Sequence, residues 1–153
     1  MASLYSEITI DAPRFAVWNA LIRKEEWYRW NTFLYDCDAD RPMRQGGEIA
    51  LALRRLEGEA GTEFQPRLVV VQPNHCLQWI YRGPGFSSEH VFELKDVGPN
   101  RTQYGHQERL SGGLARLFLP FIRQDEKTGM QRMGYQLKRY VEKAYRYQGL
   151  ELP

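Results

Sequence analysis

Apolar residues recur at three-and-four spacing near the end of the chain. Met130, Met133, Leu137, Tyr140, Val141 and Ala144 share one face of a helix predicted over residues 124–147. The opposite face carries Gln131, Arg132, Lys138, Arg139, Glu142, Lys143 and Arg146, a set suited to water. Such a helix would be roughly 36 Å long, so its apolar side needs a broad receiving surface. Gly129 and Gly134 interrupt the pattern, each costing about 1 kcal/mol relative to alanine. Either the helix tolerates them, or it starts after Gly129, or Gly134 admits a closely approaching backbone or ligand beside the stripe.

Elsewhere the period is nearer two. Leu4, Ser6, Ile8 and Ile10 alternate with Tyr5, Glu7 and Thr9, which predicts a strand over residues 4–10 that Asp11-Ala12-Pro13 stops. A helix follows and buries Phe15, Val17, Trp18, Leu21 and Ile22. A second short helix is predicted over residues 23–30, where Trp27, Tyr28 and Trp30 either plug one end of a core or form an exposed aromatic cluster. Six further strands are predicted over residues 33–38, 48–56, 62–72, 76–81, 87–95 and 102–110, separated by glycine, proline and asparagine turns. The breaks are too short for βαβ crossovers, so the strands form an antiparallel meander with segregated helices, an α+β pattern. A seven-stranded sheet of this kind twists and curls around the last helix.

Between the last strand and that helix, residues 112–122 are strongly apolar, hinged by Gly112 and Gly113 and interrupted by Pro120. They read as a short helix packed on the core, as a lid, or as a patch for a membrane, a partner protein or a second copy of the chain.

Chemistry concentrates on the predicted strand 102–110, where Tyr104, His106 and Glu108 share one face. Facing inward, a phenol, an imidazole and a carboxyl could orient a ligand or exchange a proton, and His90 on the neighbouring strand could join them. The alternative is a hydrogen-bonded pair that satisfies its own polarity. Asp36, Asp38 and Asp40 alternate on one strand face but lack a calcium loop's glycine and closing glutamate, and the histidines lack ligand spacing, so no metal is expected. No phosphate loop, dinucleotide fingerprint or nucleophile elbow is present, and no cofactor is expected.

Composition narrows the class further. The 153 residues make one domain's worth of chain, 42% hydrophobic and 13% aromatic, which excludes a disordered or fibrous protein. Twenty-one basic residues against 19 acidic, net +2, are too balanced to argue for nucleic acid. Cys37 and Cys76 match no metal or redox spacing, and the N-terminus lacks a signal-peptide pattern, which together point to the cytoplasm with both thiols reduced. No run reaches the roughly 20 apolar residues of a spanning helix.

The order of several short motifs resembles one superfamily. They are Asp11-Ala12-Pro13 before Val17-Trp18 and Leu21, Trp27-Tyr28-Arg29-Trp30-Asn31, Gly46-Gly47, Pro73-Asn74-His75 and Leu77-Gln78-Trp79. His90 with Phe92, residues 102–108 before Gly112, and Met133 with Leu137-Lys138-Arg139-Tyr140-Val141-Glu142 complete the series. Nearly the whole chain, taken as one domain over residues 1–153, resembles the START-related SRPBCC superfamily with its helix-grip fold, which includes polyketide cyclase/dehydrase-like proteins. The resemblance implies a curved antiparallel sheet gripping the C-terminal helix around a cavity for an apolar small molecule or lipid. The superfamily spans carriers, receptors, cyclases, oxygenase domains and co-chaperones, so the resemblance carries no single reaction. On this view Phe33, Tyr35, Leu53, Trp79, Tyr81 and Phe92 line a ligand site with His90, Tyr104 and His106, and Met130, Met133 and Leu137 close it from the helix. The alternatives are a cyclase or dehydrase-like enzyme moving protons through His106, Glu108 or Tyr104, and an interaction module using residues 114–122.

Overall fold

The computed structural model describes residues 2–151, and Met1 and residues 152–153 of the expected domain lie outside the described residues. Strand β1 (Ala2–Ile10) ends at Asp11-Ala12-Pro13, and helix α1 (Arg14–Ile22) begins just after the proline, whose fixed φ suits a helix start. A short 3-10 helix follows at Lys24–Arg29. It buries Trp27 and, just beyond its end, Trp30, whereas Tyr28 stays exposed, so the tryptophans plug the core.

Then come β2 (Leu34–Asp36), β3 (Leu51–Leu53), β4 (Thr62–Phe64), β5 (Arg67–Gln72), β6 (Cys76–Gly83), β7 (Phe86–Gly98) and β8 (Arg101–Ser111). All pair antiparallel, in a five-stranded sheet ordered β1-β8-β7-β6-β5 and a three-stranded sheet ordered β2-β3-β4. The expected single seven-stranded sheet is thus eight strands in two sheets. Pro66 makes the difference: it has no N–H to offer a ladder, and the expected strand 62–72 breaks there into β4 and β5. Backbone N–H groups of Gly46 and Ile49 donate to the carbonyls of Leu68 and Pro66, and the Leu68 N–H donates to the Gly47 carbonyl, which joins the segment leading into β3 to the edge of the large sheet.

Helix α2 (Gly113–Glu151) runs unbroken for 39 residues. The apolar stretch 114–122, expected as a separate helix or lid, is its first part, and Pro120 sits inside it on an exposed turn. The buried stripe is longer than the sequence pattern alone marked: Leu119, the half-buried Ile122, Glu126, Met130, Met133, Leu137 and Val141 follow one another at three-and-four spacing. Ala144, expected on that face, is exposed. Met130, Met133 and Leu137 pack on the core of Trp79, Phe92, Tyr104 and Phe33, all without solvent exposure. Arg132, expected on the water-facing side, instead bonds to carbonyl oxygens of Thr32, Arg54 and Arg55 at 3.3, 2.9 and 3.1 Å. It ties the helix to the segment after β3.

Candidate functional site

The N-terminal end of α2 is held over the β6–β7 hairpin by a close backbone approach. Gly112 has φ +104°, and the backbone of Gly85 and Phe86 occupies the space a Cβ would need. The Leu114 N–H donates to the Gly85 carbonyl at 3.0 Å. Beneath this overhang lies a cavity of about 510 Å³. Leu114, Ala115, Phe118, Leu119 and Ile122 form its helix wall, Tyr81, Phe86 and Leu110 its sheet wall, and Leu53 and Phe64 its side towards the small sheet. A second hollow of about 630 Å³ shares Glu63, Phe64 and Tyr81. Its charged residues Glu48, Glu63, Arg67 and Arg82 are all exposed, so it is a charged surface groove.

The floor of the apolar-walled cavity is polar because strand register makes it so. His90 of β7 is directly opposite Glu108 of β8, and Phe92 is opposite His106. Alternation then aims Ser88, His90, His106 and Glu108 at the interior. His90 Nε2 lies 3.2 Å from Glu108 Oε2, Ser88 Oγ donates to the same oxygen at 3.1 Å, and His90 Nδ1 lies 2.9 Å from His106 Nε2. From α2, Glu126 reaches the same floor and accepts a hydrogen bond from Arg55 Nε at 2.8 Å. Glu108 is 4% exposed and Glu126 2%. The Oε1 atoms of both carboxyls receive no donor from any described residue, although the two groups lie within hydrogen-bonding reach of each other.

One proton resolves that shortfall. Burial, and next the charge of Glu108, push Glu126 up to about 8 against the opposing pull of Arg55. Burial also works upward on Glu108, but the charge of His90 and the hydrogen bonds from His90, Glu126 and Ser88 outweigh it and hold Glu108 below its ordinary value. Near neutrality Glu126 is therefore the acid that donates and Glu108 the carboxylate that accepts. Behind them, burial and then the neighbouring His90 keep His106 well below its usual range, so its ring is neutral. Burial raises the Tyr104 phenol.

Of the residues expected to touch a ligand, Leu53, Tyr81 and His90 line this cavity, and Glu108 joins them. Phe33, Trp79, Phe92, Tyr104, Met130, Met133 and Leu137 are core instead, because their rings and thioethers fill the space beneath the middle of α2 where a hollow was expected. His106 sits behind His90, its ring stacked on Phe92 with centroids 4.1 Å apart. Tyr35 lies under the Arg54 guanidinium, 4.3 Å from ring centroid to Cζ, and is not on the cavity wall. Gly134 faces Tyr104 and Ile8, and Gly129 faces Phe33, so neither glycine opens a path to a ligand. Sequence reasoning missed Ser88, Arg55 and Glu126, and offered the stretch from Leu114 to Ile122 as a lid only among other roles. Glu126 had a signal: it stands four positions before Met130, on the buried stripe, where a carboxyl has no structural reason to be. Among the described residues, no group of three or more His, Cys, Asp or Glu side chains is placed to hold a metal ion, and no helix is long and apolar enough to cross a membrane.

The architecture recurs in solved structures of low identity. A START superfamily protein from Mycobacterium smegmatis superposes with a TM-score of 0.72 at 13% identity, covering 93% of this chain and 98% of that one. Norcoclaurine synthase from Thalictrum flavum, solved as a point mutant with a transition-state analogue, gives 0.69 at 11% identity over 94% of this chain and 96% of that one. The di-domain ARO/CYC protein BexL from the BE-7585A biosynthetic pathway gives 0.70 at 15% identity over 93% of this chain and 47% of that one. At these identities the likeness establishes the α+β helix-grip fold and no reaction. Comparison with curated proteins gives no match. The family model described as Activator of Hsp90 ATPase homolog 1-like protein matches residues 11–142. The chain therefore belongs to the Activator of Hsp90 ATPase homolog 1-like family, within the START-related SRPBCC superfamily.

Proposed function

We propose that the protein binds an apolar small molecule in the cavity between the N-terminal part of α2 and the β6–β8 face of the sheet. The observation that carries this is the pairing of apolar walls with a floor of buried polar groups, Ser88, His90, Glu108 and Glu126. A concave apolar site with a few convergent polar groups is the usual form of a small-molecule pocket. Membership in a superfamily with a ligand-binding fold supports the same function. The test is titration with Nile red, a neutral apolar dye that brightens on leaving water. Saturable binding to the wild-type chain is expected, and Ala115→Trp, which puts an indole into the cavity, is expected to weaken it about tenfold or more. Saturable binding unchanged in Ala115→Trp would place the ligand elsewhere.

The row His90, Glu108, Glu126 favours a second function, proton transfer on the bound molecule. Glu126 would supply a proton to a carbonyl oxygen, and Glu108, backed by His90, would take one from a neighbouring carbon. Tyr104 and His106, the other expected proton carriers, are shut off from the cavity by the core, so the role passes to the residues that open on it. The cyclase title of one structural neighbour accords with this chemistry.

A further inference from the structure

The first part of α2 has two apolar faces. Leu119 and Ile122 turn inward with the buried stripe, whereas Leu114, Leu117, Phe118 and Phe121 follow one another at three-and-four spacing on a second, exposed face. At about 100° per residue these four fall within roughly 100° of one another around the helix. Leu117 is 61% exposed and Phe121 80%. Leu114 and Phe118 also line the cavity and the other two do not, so the face leads from the cavity wall out to open solvent. Large apolar side chains gathered on one exposed face mark a surface that something else covers.

The charges beside this face select the cover. Over residues 113–127 the exposed charged side chains are Arg116, Arg123 and Lys127, all positive. Asp125 is half-buried, Glu126 is buried on the cavity floor, and the exposed acid of the cavity lining, Glu63, stands across the cavity on β4. At the same angular spacing Arg116, Arg123 and Lys127 lie on the helix flank away from Phe118. A ridge of leucine and phenylalanine with cations along one flank matches a bilayer that carries anionic headgroups: the apolar side chains sink to the acyl boundary and the long basic ones reach phosphate. A second copy of the chain would bring the same three cations to the contact and be repelled. A protein partner would need a preformed groove for the projecting Phe121, whereas acyl chains part around it.

We propose that this face of α2 docks on an anionic lipid bilayer, with Leu117 and Phe121 at the acyl boundary and the cavity edge at Leu114 and Phe118 turned towards it. The helix lies in the plane of the interface and does not span it. An apolar molecule dissolved in the bilayer then enters the cavity along Leu114 and Phe118. That route rests on the cavity being the ligand site, and the docking does not.

Sedimentation of the full chain with vesicles of phosphatidylcholine alone, and of phosphatidylcholine mixed with phosphatidylglycerol, measures the docking. Binding about tenfold or more tighter to the mixed vesicles is expected, and it should weaken as salt is raised. Leu117→Ser combined with Phe121→Ser is expected to weaken that binding about tenfold or more. Both side chains are exposed and neither lines the cavity, so this double variant is expected to keep the native circular dichroism and to bind Nile red in vesicle-free solution as the wild type does. Phe121→Trp gives a second reading: its added indole should shift to the blue on meeting mixed vesicles, while the four native tryptophans, all buried, stay unchanged. Equal binding to the two kinds of vesicle, binding that survives the double variant, or no vesicle binding overturns the docking and leaves the cavity a ligand site if Nile red still binds. Self-association abolished by the double variant, without vesicle binding, gives the face to a second copy and overturns the bilayer. Vesicle binding without Nile red binding in solution upholds the docking and overturns the cavity as the ligand site.

Discussion

A carboxyl group with 2% exposure on a helix stripe otherwise made of leucine, methionine and valine costs stability, and the cost depends on pH. The ordinary value for Glu126 is 4.5, and in the folded protein burial and then Glu108 push it up to about 8. Between those values the folded chain holds a proton that the unfolded chain has lost, so this group's contribution to stability falls as pH rises through the window and levels off above it. Glu108, held below its ordinary value, acts in the opposite sense and weakens the fold only as acid protonates it. Chemical denaturation across pH should show Glu126→Gln gaining on the wild type as pH climbs from 4.5 towards 8. A constant offset between the two would deny the shared proton. At this scale the sequence was least legible. Lys24, 1% exposed, bonds to Asp36 at 2.9 Å and to the Asp38 carbonyl at 2.8 Å, yet in the sequence Asp36, Asp38 and Asp40 show only as alternating positions on one strand face. A period of two marks a face, and says nothing of a lysine that arrives from another element.

At the scale of the element, α2 explains both what patterning captured and what it lost. Its C-terminal part was legible because Met130, Met133, Leu137 and Val141 keep strict helical spacing. Its N-terminal part was not, because Leu114, Leu117, Phe118 and Phe121 are exposed to water or to the cavity and their apolar character hides the stripe that Ala115, Leu119 and Ile122 continue. Pro120 looked like a stop, but it and Arg116, the residue whose carbonyl loses a donor, both lie on exposed turns that water can reach. The glycines inside the helix differ in what they permit. A Cβ on Gly129 would stand 2.5 Å from Phe33 Cδ1, so Gly129→Ala must push a fully buried ring and should destabilise by about 1–3 kcal/mol. A Cβ on Gly134 would meet Tyr104 Cε1 at 3.4 Å, an ordinary contact, so Gly134→Ala should stabilise by up to about 1 kcal/mol through helix propensity. Thermal or urea unfolding of the pair checks the opposite signs, and two changes of the same sign would contradict the packing.

Over the whole molecule the sheet and helix enclose two unlike ends. Towards the middle of α2 the inner faces carry Trp79, Phe92, Tyr104 and Met133, and the interior is solid. Towards the β6–β7 hairpin they carry Ser88, Leu110 and Tyr81 facing Ala115 and Leu119, and the same two layers stand apart. The periods of two and near four dictate the order of elements and the antiparallel grip, but the place of the hollow depends on how side-chain volumes add up across paired strands, which no single strand's pattern contains. This asymmetry predicts where a ligand is felt. A bound molecule adds stability only to states in which the cavity is intact, by about 2.7 kcal/mol at a hundredfold excess over Kd. Openings that free the first part of α2 from the hairpin destroy the cavity, whereas opening elsewhere does not. Amide hydrogen exchange with saturating Nile red should therefore slow at Leu119, Ile122, Phe86 and Ser88, and change little at Ser6 and Ile8 of β1, on the far edge of the sheet. Protection spread evenly over β1 and β7 would mean that the dye stabilises the chain globally, and protection centred on Met133 and Leu137 would mean that the core parts to admit it.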